Sequence, residues 1–153
     1  MMEHRKPLTW PDCWKKPSAI KKVLLGIPIV GPQAKTYKQI CAQLEERTTD
    51  CLVNWGDNPE RQYFAAEVSR ILKTNLKWPN SFFIPADPFE ILCWDKEAYP
   101  IDMLTIEDVI QEIETSVGKR LPGSFWLASL SKPFGEVVDE LLEAKKSFAN
   151  SKK

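Results

Sequence analysis

Between Asp102 and Pro122 the apolar residues Ile106, Val109, Ile110, Ile113 and Val117 recur at intervals of three and four. That period lines them up on one stripe of an α-helix. Gly118 follows the last of them and supplies the stop, because glycine takes the left-handed backbone with which helices end; Leu121-Pro122-Gly123 then turns the chain. Thr105 and Asp108, three residues apart, make a capping pair for the start, with an earlier start at Met103 or Leu104 as the alternative. A stripe this apolar requires cover, so the remaining segments are read for what they bring to it.

Most of them show the same period. From Gln33 to Arg47 the positions Tyr37, Ile40, Cys41 and Leu44 form a second stripe. Gly56-Asp57-Asn58-Pro59 announces a long helix, with Asn58 as cap and Pro59 in the first turn. Its inward face is Phe64, Val68, Ile71, Leu72 and Leu76; Glu60, Arg61, Glu67, Arg70 and Lys73 face water, and Pro79 forces an end by Trp78. A short helix over 124–130 sets Phe125, Trp126 and Leu130 against the bundle. Ser131 caps a last helix with Phe134, Val137, Val138, Leu141 and Leu142 inward and a frayed basic tail at Lys145, Lys146, Lys152 and Lys153.

The connections are less regular. Residues 50–55 read as a short extended piece. The segment 79–100 interleaves Phe82, Phe83, Ile84, Phe89, Ile91, Leu92 and Trp94 with Pro85 and Pro88, so it folds over the helices rather than lying in solvent. It contains either a helical turn from Asp87-Pro88 or a strand over 89–94, which periodicity does not distinguish. Residues 1–17 carry Pro7, Pro11 and Pro17 with Trp10 and Trp14, the composition of a docked arm, and Ser18 caps a short helix ending near Gly26.

Charge and cysteine content restrict the function classes. The 153 residues hold 21 basic and 21 acidic side chains, which gives no global field for nucleic acid. Residues 1–40 nevertheless carry eight Lys or Arg against Glu3 and Asp12, leaving the remainder net acidic. Cys13, Cys41, Cys51 and Cys93 are scattered and His4 is the single histidine, a set that does not provide the clustered ligands of a zinc site. The apolar run 23–30 is broken by Gly26 and Pro28 and falls short of the ~20 residues needed to cross a bilayer. An interfacial contact through the lysines beside that run is the alternative. The expectation is a reduced, cytoplasmic protein without a secretory signal or transmembrane segment.

The stretch Asp102 to Pro122 resembles the second helix of an acyl carrier protein. That family opens the helix with Asp-Ser-Leu, the serine bearing a phosphopantetheine arm, and closes it with a Glu, an apolar residue and an apolar-Pro pair. Asp102, Leu104, Glu114, Val117, Leu121 and Pro122 meet the pattern without an insertion, and Met103 stands where the serine belongs. The flanking helices follow the family's order, with the long aromatic loop resembling divergent bacterial carrier-like families of unknown function. The resemblance implies an all-α fold: an acyl-carrier-like four-helix bundle over 58–148, an N-terminal arm and helical extension over 1–57, a long structured loop between the first and second bundle helices, and a tail at 149–153.

Met103 also separates the chain from the family's chemistry, because a thioether forms no phosphodiester. Thr105 has a hydroxyl, but two residues rotate it roughly 200° around the helix. No cofactor, catalytic residue or metal is expected. The resemblance implies docking on a protein partner through Met103, Glu107, Asp108, Glu112 and Glu114, since carriers present an acidic second helix to basic patches on their enzymes. The same charges are what the outer face of any surface helix shows, which is the stronger reading of the residues alone. Asp87, Glu90, Asp95 and Glu97 form an acidic loop, solvated or cation-binding, without the spacing of a calcium loop. The expected function is thus a non-enzymatic carrier-like interaction module. Its alternatives are a carrier modified elsewhere and a regulatory or immunity-type binding protein unrelated to carriers.

Overall fold

The computed structural model describes residues 6–11, 33–47, 52–93 and 104–151. Among these the chain is all-helical: α1 (Gln33–Glu45), a 3-10 turn (Leu52–Trp55), α2 (Pro59–Leu76), α3 (Phe89–Leu92), α4 (Leu104–Val117), α5 (Gly123–Ser129) and α6 (Phe134–Ser151). No described helix is long and apolar enough to cross a membrane. The helix expected after Ser18, Met103 and the acidic residues Asp95 and Glu97 lie outside the described residues.

α2 begins as its sequence requires. The Asn58 side chain accepts hydrogen bonds from the backbone N–H of Glu60 and Arg61, and Pro59, which has no N–H to leave unsatisfied, fills the first turn. Its end is less ordinary, because Lys77 rather than a glycine takes the left-handed conformation, at φ 59°. Tyr37 of α1 donates its hydroxyl to the Lys77 carbonyl and stacks on Trp78 at 5.2 Å. Trp78 is buried and donates its indole N–H to the Leu92 carbonyl at 3.1 Å. One short stretch thereby links α1, α2 and the loop.

α2, α4 and α6 pack pairwise. Phe64, Val68, Ile71, Leu72 and Leu76 of α2 share one core with Val109, Ile113 and Val117 of α4 and with Phe134, Val137, Val138, Leu141 and Leu142 of α6. Ile40 and Leu44 of α1 and Leu8 of the arm join it, so the arm is docked over residues 6–11. Trp55 is buried in the same core, whereas Trp10 and Trp126 are half-buried against it. Arg61 ties the first turn of α2 to α6 through both Asp139 oxygens, at 2.7 and 3.1 Å, and lies over the Trp55 ring.

Over its described residues, 79–93, the long loop is a structured lid on this core. Phe83, Ile84, Phe89, Ile91 and Leu92 are buried, each gaining about 1.5 to 3 kcal/mol from leaving water. Phe89 stacks on Phe134 and Trp55 meets it edge-on, at 6.1 and 5.2 Å between ring centres. The segment 89–92 is a helical turn, not a strand, and Pro88 with Pro133 makes an isolated bridge that staples the loop to the start of α6. Phe134 N–H donates to the Asp87 carbonyl at 2.7 Å and Gly135 N–H to the Pro85 carbonyl at 2.8 Å.

Several expectations need correction. Residues 52–55 form a 3-10 turn rather than an extended piece, held by the Trp55 indole N–H donating to the Phe83 carbonyl. Thr105 lies inside α4 rather than ahead of it. Leu130 is exposed and follows the end of α5 at Ser129, and the Ser131 hydroxyl bonds back to the Ala128 carbonyl, closing that helix instead of opening the next. The basic segment near the C-terminus does not fray at Lys145: the ammonium lies 5.4 Å from the Phe64 ring centre, and Lys146 pairs with Glu60 at 3.0 Å. Asp87 is not a solvated loop carboxylate but fully buried.

Candidate functional site

α4 has three sides. Val109, Ile113 and Val117 face the core. One turn-spaced pair, Glu112 and Ser116, faces α2: Glu112 accepts from the Asn75 amide at 3.1 Å and the Ser116 hydroxyl donates to Glu67 at 2.9 Å. On the opposite flank Glu107, Ile110, Gln111 and Glu114 line a shallow groove of about 740 Å³, continued by Thr115, Gly118, Lys119, Arg120 and Leu121. Ile110 and Leu121 are its half-buried apolar contributors.

The expected acidic face is therefore divided. Glu107 and Asp108 are exposed near the start of α4, where the helix dipole favours negative charge. Glu112 is exposed but turned toward Asn75. Glu114 is half-buried, and its Oε2 accepts the Leu121 N–H at 3.0 Å, which closes the turn after the helix. The fifth expected residue, Met103, is outside the described residues. Lys119 and Arg120 follow the end of α4, so the groove's lining carries two basic side chains beside Glu114, with Glu107 nearer the start of the helix.

Gly118 shapes the groove's floor for two reasons. Its φ of 96° is one that other residues rarely adopt, and a Cβ there would lie 2.8 Å from the Phe148 ring of α6. The Thr115 hydroxyl is turned back on the helix, donating to the Gln111 carbonyl at 2.9 Å. This arrangement offers carboxylates, cations and apolar surface for contact. Cys93 lies elsewhere and, although part of the residue is exposed, desolvation pushes its thiol well up and holds it protonated. It is a poor nucleophile in that state.

A second polar centre was not visible from local sequence pattern. Arg47, just beyond α1, pairs with Asp87 through both of its terminal nitrogens, each at 2.8 Å. Arg47 also donates to the carbonyls of Phe82 at 2.7 Å and Lys6 at 2.9 Å, while Asp87 accepts the N–H groups of Leu8 at 2.9 Å and Ile84 at 2.8 Å. The two charges are thus compensated by each other and by four main-chain groups, as burial demands. Only the proline-rich composition of the arm signalled that something docks nearby.

A scan against protein-family models finds no match to the chain, and searches of curated proteins and of solved structures find none either.

Proposed function

We propose that this chain is a non-enzymatic, acyl-carrier-like interaction module without a phosphopantetheine arm, docking on a protein partner through the outer flank of α4. The observation that carries this reading is Glu107, exposed in the lining of a groove that also holds Ile110 and Leu121, with the exposed Asp108 next to it in sequence. Exposed charge around partly exposed apolar surface suits a polar-rimmed interface. The order of α2, a loop folded onto the core over residues 79–93, α4, the short α5 and α6 supports the likeness to a carrier bundle. Glu112 and Glu114 already have partners within the chain, so the docking role rests chiefly on Glu107 and Asp108. Their carboxylates suit a basic patch on the partner.

The test is affinity capture from the cell of origin with the parent chain and with Glu107→Lys/Asp108→Lys. The parent is expected to retain a protein in stoichiometric amount that the variant loses, both chains having the same helical circular dichroism. Equal retention by both would rule out the acidic flank.

A further inference from the structure

Among the described helices, α5 alone buries none of its large apolar side chains. Phe125 and Trp126 are half-buried and meet edge-on at 5.2 Å between ring centres. Leu127 and, just past the helix, Leu130 are 73% and 39% exposed. Three positions apart on helical backbone, the two leucines project on one side. The other large apolar side chain exposed among the described residues is Tyr63, on α2. The Trp126 indole N–H is shut off from water and finds no acceptor among the described residues, so the fold alone does not satisfy this helix.

The sequence around this patch is cationic. From Gly118 to Lys132 there are three basic residues and no acidic one. Lys132 is matched by Glu140 at 2.6 Å, whereas Lys119 and Arg120 are exposed and, among the described residues, in no ion pair. Glu114, the nearest carboxylate before them, is half-buried and turned to the Leu121 N–H. Both free cations immediately precede a helix only about 10 Å long. Exposed leucines with Phe and Trp beside them, flanked by Lys and Arg, are the combination that a bilayer interface selects. We infer that α5 docks the protein on an anionic lipid bilayer, Leu127 and Leu130 entering the boundary between headgroups and acyl chains while Lys119 and Arg120 meet the negative headgroups. The headgroup region also supplies the acceptors that a tryptophan at its edge uses. Two leucines offer a small fraction of the ~800 Å² per partner that a stable protein interface buries. Insertion into a lipid surface needs no complementary pocket and gains from each cation. It does not require Glu107 or Asp108.

The test is flotation of the full chain with vesicles of phosphatidylcholine and phosphatidylserine in equal parts, against vesicles of phosphatidylcholine alone. The parent should float with the mixed vesicles, much less with the neutral ones, and less in high salt. Leu127→Ser/Leu130→Ser should weaken partitioning roughly tenfold or more. Lys119→Gln/Arg120→Gln should weaken it by about tenfold on the anionic vesicles and leave the neutral ones unaffected. All four positions are exposed, so each variant should keep the parent's circular dichroism; if the double serine variant does not, Leu127→Ser alone enters the same measurement. A parent chain that stays with neither vesicle would overturn the inference. So would flotation that the serine variants leave unchanged, which would assign the contact to the basic first forty residues. A concentration-dependent dimer that Leu127→Ser dissolves, without vesicle binding, would give the face to a second copy and equally overturn it.

Discussion

Arg47 and Asp87 stand 40 positions apart in sequence and meet as a bidentate, buried ion pair with both N···O distances at 2.8 Å. The pair joins the arm, the end of α1 and the loop, and the Asp87 carbonyl receives the first N–H of α6. Removing one member leaves the other charged and buried. Arg47→Met or Asp87→Leu alone is expected to cost about 3 to 5 kcal/mol, measured by urea unfolding. The double variant should cost less than the sum of the two, because no lone charge is left behind.

Gly135 is required for contact rather than for backbone freedom. A Cβ there would lie 2.6 Å from Pro85 Cβ and 3.2 Å from the carbonyl to which Gly135 donates. Gly135→Ala should destabilise by about 1 to 3 kcal/mol by pushing the loop off α6. Gly123, at the start of α5, has nothing within 4 Å of such a Cβ, so Gly123→Ala should be neutral or stabilise by up to about 1 kcal/mol. Thermal melts of the two variants make the comparison.

The raised thiol of Cys93 makes a prediction about pH. Since the folded state keeps the proton to higher pH than the unfolded state, unfolding releases it once the pH exceeds the ordinary thiol value of about 8.5. This contribution to stability is complete below that value and declines as pH climbs above it. Cys93→Ser should flatten that decline in urea midpoints taken across the alkaline range. In the native chain at neutral pH, Cys93 should alkylate far more slowly than after unfolding, as followed by peptide mass mapping.

The carboxylates of α4 should separate into structural and surface classes. Glu114→Ala deprives the Leu121 N–H of its acceptor and should cost about 1 kcal/mol, whereas Glu114→Gln keeps an acceptor and should cost less. Asp108→Lys should be close to neutral. Glu107→Lys, placed in the first turn of α4, should cost about 0.3 to 1 kcal/mol through the helix dipole, and less in high salt. Chemical denaturation at two salt concentrations distinguishes them.

Local pattern accounts for much of this fold. Asn58 and Pro59 start α2 by side-chain and backbone chemistry confined to three residues, and Phe64 to Leu76 are buried at the positions their period requires. The aromatic density of 82–92 correctly implied burial over the helices, because so many rings have no stable place in solvent. Asp87 differs from its expectation for a physical reason: nothing near it in sequence offers a cation, and its partner in space, Arg47, lies 40 positions away. Long-range pairing leaves no periodic trace. Likewise the apparent acidic face of α4 is split by helical geometry and by partners on α2 and after Gly118, among them Asn75 and the Leu121 N–H, which α4's own sequence does not contain.

Intact-mass measurement after incubation with coenzyme A and a promiscuous phosphopantetheinyl transferase bears most directly on the proposed carrier-like module without its arm. The parent chain should be unchanged, and Met103→Ser, which restores the hydroxyl at the position the resemblance gives to the family's serine, should gain one phosphopantetheine group. A mass gain on the parent chain would contradict the proposal and make the protein a loaded carrier.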